Sequence, residues 1–226
     1  MAEDSISFPT FHERTGELSS ADRLRVDLAA RLRTLIHDSF MSTSSEDDIS
    51  RAIEDIVSAI GHVNAPGGTA GTASAESHFS DRSPFYGAMN PLSMPMRMEI
   101  DRSHGEFGAV LGTAVFTEPY EGPPGHIHGG FIAAAFDEVV GMAQSLTGRP
   151  GMTGRLSVSY RSPTPLHREI VFKGWVEKVE GRKIFTKGTA HAGETLCAEV
   201  EALFLSFPAE MMDKLRKGRD LSQPQQ

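Results

Sequence analysis

The stretch His128-Gly129-Gly130-Phe131-Ile132-Ala133-Ala134-Ala135-Phe136-Asp137-Glu138-Val139-Val140-Gly141-Met142-Ala143-Gln144-Ser145-Leu146 decides the reading of this chain. From Gly130 to Leu146 it is apolar almost all the way round its helical wheel, the pattern of a helix buried inside a domain rather than laid on its surface. Gly148, Pro150 and Gly151 end it. Two β-patterned runs precede it: Met96, Met98 and Ile100 alternate with charged residues, and residues 109–116 form a second run. Four more follow, at 152–161, 170–179, 183–190 and 196–207, the last two linkages closed by short turns such as Glu180-Gly181 and Ala192-Gly193. No room remains for helices between these later strands, which excludes a doubly wound parallel sheet. The pattern predicts an α+β domain, an antiparallel sheet wrapped around one long buried helix.

Outward from this core the organisation changes. Residues 20–38 place Leu24, Leu28, Leu32, Leu35 and Ile36 at helical spacing, and the apolar stripe asks for a partner. A second helix starts at a capping-box pattern, Ser45 with Asp48, and carries Ile49, Ile53, Ile56, Val57 and Ile60 on one face; the two helices are expected to form a hairpin. Residues 1–62 therefore read as an N-terminal helical extension, 63–90 as a Gly-, Ala- and Ser-rich linker and lead-in, 91–208 as the main domain and 209–226 as a polar tail.

Of the 226 residues, 39% are hydrophobic and 23% charged, enough to bury a sizeable core. A formal charge of −8 argues against nucleic acid as a partner, so any anion site must be built locally from a few cations. The longest apolar run, 131–136, is far shorter than the roughly 20 residues that cross a bilayer, so no stable membrane insertion is expected. Cys197 is the single cysteine and lies in a strand-like run, and the first residues lack a secretory signal; a cytoplasmic location is expected.

The chemistry centres on Asp137. An ionised carboxylate in the middle of an apolar helix is costly unless it has a partner or a task, and so far inside the helix it cannot cap the first turn. The neighbouring Glu138 is expected to be solvated or interfacial. At the helix start, Gly129 and Gly130 permit close approach of a ligand, and the free N–H groups of a first turn can hold an oxygen that gains negative charge. His128 is placed either to orient this loop or to hydrogen-bond near the reacting group. His126 and His128 lack a third ligand at metal spacing, and no metal is expected.

Glu121-Gly122-Pro123-Pro124-Gly125-His126-Ile127-His128-Gly129-Gly130, then Asp137, Thr153, Tyr160-Arg161-Ser162-Pro163 and Val179-Glu180-Gly181-Arg182-Lys183 together resemble the hotdog-fold thioesterase superfamily, especially its long-chain acyl-CoA and phenylacetate-pathway types. The resemblance covers residues 91–207. It implies an acyl-CoA thioesterase in which Asp137 is base or nucleophile, Thr153 on the next strand assists it, and the Gly129 backbone N–H polarises the carbonyl. It further implies contacts to acyl-CoA from Gly130, Ser159, Arg161, Arg182 and Lys183. Coenzyme A is then part of the substrate, and no separate cofactor is expected.

Gly129 and Asp137 are eight residues apart, about 12 Å along a helix at roughly 1.5 Å per residue, too far for both to touch one thioester from the same chain. A homodimer or dimer of dimers with sites shared between chains is the expectation. Two alternatives stand beside hydrolysis. A hotdog enoyl-CoA hydratase or dehydratase would use His128 with Asp137, and a non-catalytic acyl-CoA-binding protein would keep the fold without turnover.

Overall fold

The computed structural model describes residues 17–63, 81, 83–149 and 151–207. In chain order these form helices α1 (Ser20–Phe40) and α2 (Glu46–Val63), strands β1 (Met96–Asp101) and β2 (Ala109–Val115), a 3-10 turn at Glu118–Tyr120, helix α3 (Gly129–Ser145), and strands β3 (Gly151–Tyr160), β4 (Glu169–Glu180), β5 (Lys183–Ala192) and β6 (Thr195–Ser206). All six strands join one antiparallel sheet in the order β1-β2-β4-β5-β6-β3, and α3 packs on β2, β3, β4, β5 and β6. This is the hotdog arrangement expected from the sequence.

The strands show the period-2 burial of a sheet with one face covered: Ile184, Thr186, Gly188, Ala190 and Ala192 of β5 are buried while their neighbours are half-exposed. Phe136 of α3 meets Phe172 of β4 edge to face, ring centroids 5.3 Å apart. Beside that contact the helix comes very close to the sheet. Gly174 and Gly188 face each other across β4 and β5, and Val139 and Val140 occupy the space above them. A Cβ on Gly174 would lie 3.0 Å from Val139 Cγ1, and one on Gly188 only 2.6 Å from the Lys173 carbonyl oxygen.

The N-terminal helices depart from the expectation. No residue of α2 is buried, so the hairpin with α1 is not packed, and Ile49, Ile53, Ile56, Val57 and Ile60 stay exposed. Nor does α1 bury most of its leucine stripe: Leu24, Leu28, Leu35 and Ile36 remain exposed and Leu32 is half-buried, whereas Asp22 and Ala29 are buried. The face that meets the domain runs through Ala29, Arg33 and His37, because its bonds are polar. Arg33 Nη1 donates to the Asn90 carbonyl at 2.8 Å and to Ser93 Oγ at 3.3 Å, and His37 Nε2 lies 3.9 Å from Glu118.

Most of the expected linker, residues 64–80 and 82, lies outside the described residues, as do the first 16 residues and the tail from 208. The lead-in that follows is packed: Ser83 and Ser93 are buried, and Phe85 and Tyr86 lie against the core. Among the described residues no helix is long and apolar enough to cross a membrane.

The close approach of α3 gives a direct test. Gly188→Ala sets a methyl group against an immovable backbone oxygen and is expected to destabilise the domain by about 1–3 kcal/mol, the usual cost of overpacking. A urea-unfolding midpoint equal to wild type would show that the β4–β5 pairing beneath Val140 does not need this glycine.

Candidate active site

The loop before α3 is pinned from several sides. His128 N–H donates to the Tyr120 carbonyl at 2.9 Å, Ile127 N–H to the Thr164 carbonyl at 2.8 Å, and Gly122 N–H to the His126 carbonyl at 2.9 Å. His128 caps the helix: its Nδ1 accepts the Gly130 N–H at 3.0 Å, which leaves the ring proton on Nε2 in this geometry. The Gly130 N–H is thereby spent, while the Gly129 N–H has no acceptor among the described residues. An unengaged donor at a helix N-terminus, aided by the helix dipole, suits an oxygen that gains charge. Tyr160 frames this position. Its hydroxyl donates to the Gly129 carbonyl at 2.8 Å, and a Cβ at residue 129 would come within 3.2 Å of its ring, so any side chain there has to shift the exposed Tyr160 ring by a few tenths of an ångström.

Two turns further along α3, half-buried Asp137 faces the beginning of β3, where Thr153 Oγ1 donates to Asp137 Oδ1 at 2.9 Å. The side chain of Asp137 is therefore not enclosed by the core. Phe136, Val139, Val140 and Ala143 point the other way, into the sheet. The bond fixes Oδ1 and leaves Oδ2 available to a water.

The two groupings lie at different ends of β3. Thr153 and Tyr160 are seven residues apart on one strand, about 23 Å at roughly 3.3 Å per residue. The expected CoA contacts divide in the same way. Ser159 and Arg161 are exposed beside Tyr160, with Arg161 Nε held by Glu199 at 2.6 Å. Arg182 donates through Nε to the Ser206 carbonyl at 2.9 Å, and Ser206 pairs with Gly151 at the opposite end of β3; exposed Lys183 follows at the start of β5. Arg149 joins that end, its Nη1 donating to the Gly181 carbonyl at 3.1 Å.

Glu138 is half-buried rather than freely solvated: burial pushes its carboxyl up to about 7, with the charge of Asp137 adding to the shift. Its surroundings include Tyr86 of the lead-in, whose phenol is itself raised by burial and then by Glu138 and Asp81. A segment that reads as linker covers this side of the helix, and no local pattern announces that contact. Tyr160 and Arg149 also went unassigned. The signal for Tyr160 was its place in the Tyr160-Arg161-Ser162-Pro163 motif, but its partner, Gly129, lies 31 positions away in sequence.

Of the two residues in the His-x-His pair, His126 uses Nδ1 against the Pro124 carbonyl at 2.8 Å and His128 caps α3. No group of three or more potential metal ligands occurs among the described residues.

A sequence profile described as the thioesterase superfamily matches residues 124–199, which span the loop, α3, β3 and most of the later sheet. A solved crystal structure of a thioesterase superfamily protein aligns at 31% sequence identity and a TM-score of 0.71, covering 86% of this chain and 98% of that one. The chain belongs to the thioesterase superfamily. Within that superfamily it is similar to acyl-coenzyme A thioesterase THEM4 of Xenopus laevis, 41% identical over 92 residues that make up 39% of this chain and 41% of that protein. It is also similar to acyl-coenzyme A thioesterase THEM5 of Homo sapiens, 30% identical over 92 residues, 40% of this chain and 37% of that protein. The chain thus spans about two-fifths of the length of the curated relatives it matches.

The Glu138 environment predicts how stability varies with pH. Its folded-state pKa is raised from 4.5 to about 7, so between these values the folded state holds a proton that the unfolded state has lost, and stability falls as pH rises through that window. The full shift corresponds to about 3 kcal/mol as an upper bound at about 1.4 kcal/mol per unit. Glu138→Gln should therefore flatten the stability profile and gain most over wild type above pH 7. Parallel profiles for the two proteins in urea unfolding at pH 4.5 and 8 would contradict the assignment.

Proposed function

We propose that the chain hydrolyses acyl-CoA thioesters to free acid and CoA, as a homodimer whose two sites each combine Gly129 of one chain with Asp137 and Thr153 of the other. The observation that carries this reading is the separation of an unengaged Gly129 N–H from the Asp137–Thr153 pair along one helix and one strand. β3 supports it. This edge strand of ten residues is exposed over most of its length, with Met152 at 51% and Tyr160 at 54%, and a bare edge of that kind invites a strand from another chain. Antiparallel pairing of two β3 edges about a two-fold axis would bring Thr153 of one chain towards Tyr160, and so Gly129, of the other.

In such a site the thioester carbonyl oxygen accepts the Gly129 N–H, which stabilises the charge that develops on it as the carbonyl carbon becomes tetrahedral. Asp137, oriented by Thr153, takes a proton from a water through Oδ2 as that water attacks, and collapse of the intermediate expels the CoA thiolate. Direct attack by the carboxylate, giving an anhydride that water then opens, uses the same atoms. Arg161, Arg182 and Lys183, with Ser159 and Gly130, are the groups offered to CoA, whose phosphates need placed cations on an acidic protein. The capping bond of His128 disfavours the hydratase reading, because Nδ1 already accepts a backbone N–H and Nε2 bears the proton. Hydrolysis of fatty acyl thioesters would place the protein in fatty acid metabolism, and the buried thiol of Cys197 suits a reducing, cytoplasmic setting.

Free-thiol release from an acyl-CoA tests the assignment. Asp137→Asn should lower kcat by roughly 100-fold or more, in the range of general-base contributions, and Thr153→Ala by about tenfold. A folded Asp137→Asn protein with wild-type turnover would remove Asp137 from the mechanism. The shared site has its own signature. Gly129→Pro removes the N–H at a helix position that tolerates proline, and assembling it with Asp137→Asn gives mixed dimers with one intact site. Random assortment should restore about a quarter of wild-type activity, since half the dimers are mixed and each has one working site. No recovery on mixing would place both halves in one chain.

A further inference from the structure

A cleft of about 550 Å³ lies between α1 and the hotdog domain, walled by Ile36 of α1 and by Leu92, Val115, Tyr120 and Phe131 of the body. Its volume falls within the roughly 300–1,000 Å³ of small-molecule sites. Four of these apolar side chains remain in water, Ile36 at 46%, Leu92 at 73%, Val115 at 44% and Phe131 at 36%, so an apolar occupant would remove a contiguous unfavourable surface. The outer wall is fastened in place. Arg33 Nη1 bonds Asn90 and Ser93, and His37 sits 3.9 Å from Glu118, whose other oxygen lies 2.8 Å from His167 Nε2. The charged head of Arg33 is thus occupied, and its aliphatic stem is what remains to line the cleft.

The cleft borders the candidate active site at Phe131. Phe131 stands in the first turn of α3, two residues after Gly129, and its ring is 5.0 Å from that of Tyr120 and 6.2 Å from that of His128. An acyl group whose carbonyl is held by the Gly129 N–H would reach the cleft by passing Phe131. We propose that this cleft receives the tail of an aliphatic acyl group, so that α1 of the N-terminal extension is one wall of the acyl site and sets the preference for chain length. The proposal rests on the hydrolase reading. Acyl groups long enough to pass Phe131 gain contact with Ile36, Leu92 and Val115, and a short acyl group does not reach them.

The test compares kcat/KM for butyryl-CoA and lauroyl-CoA in wild type, Ile36→Trp and Val115→Trp. Both residues are exposed at the surface, and an indole at either position fills part of the cleft. The lauroyl-to-butyryl ratio should fall about tenfold in each variant, as expected when about two buried methylene groups lose their apolar contact. Leu24→Trp, on an exposed part of α1 outside the cleft, should keep the wild-type ratio. A ratio unchanged by both tryptophans would overturn the proposal while leaving hydrolysis in place. If wild type releases no thiol from either substrate, the hydrolase reading fails. The cleft is then judged by calorimetric titration with dodecyl-CoA, a non-hydrolysable thioether: tenfold weaker binding to Ile36→Trp supports it, and equal affinity overturns it.

Discussion

Val139 and Val140 of α3 occupy the space that side chains at Gly174 and Gly188 would fill, and this close seating of a helix on a curved sheet sets the position of everything that follows. Because the helix is held at its centre, its two ends are held too. The N-terminal turn is presented at the loop of His128, and the turn bearing Asp137 is presented to β3. An interior packed to crystal-like density does not let such a helix slide by one residue. The polar groups at its first turn and at its middle are therefore positioned by an apolar contact to which they contribute nothing.

That seating also accounts for the division of the site. One helix and one strand carry both halves, and their rigid repeats keep the halves apart: Gly129 and Tyr160 at one end, Asp137 and Thr153 at the other. A second chain related by two-fold symmetry would reverse the order and bring unlike ends together. The unpaired edge of β3 and the unengaged Gly129 N–H are then two aspects of one geometry. Glu138 adds an electrostatic consequence, since burying a second carboxyl next to Asp137 favours the neutral form of Glu138 and lowers the negative charge beside Asp137.

The six strands, the buried helix and the two N-terminal helices were all legible because each has a local period, 2 or 3.6, written in consecutive residues. The candidate site was legible as residue types: a carboxylate inside an apolar helix, glycines at its start, and a spaced set of motifs. The environments were not. Asp137 read as enclosed by apolar neighbours because a helical wheel shows which residues are adjacent, not which direction faces the sheet. Glu138 read as solvated or interfacial, and its neighbour Tyr86 was not foreseen because it lies some 50 residues earlier, in a stretch that looks like linker. The leucine stripe of α1 misled for a related reason, since the bonds that dock the helix are polar and come from Arg33, with His37 facing Glu118 beside it.

Sequence by itself determined that the chain would bury one helix in an antiparallel sheet and that this helix would carry Asp137, because hydrophobic periodicity acts over a few residues and needs no knowledge of distant partners. Only the tertiary structure decided the bond by which Thr153 holds Asp137 Oδ1, that Tyr160 would close over Gly129, that Glu138 would be half-buried and that α1 would stand across a cleft. Each of those pairings joins residues far apart in the chain. Strand register and the depth at which a helix seats on glycine set them, and both are collective properties of the packed core.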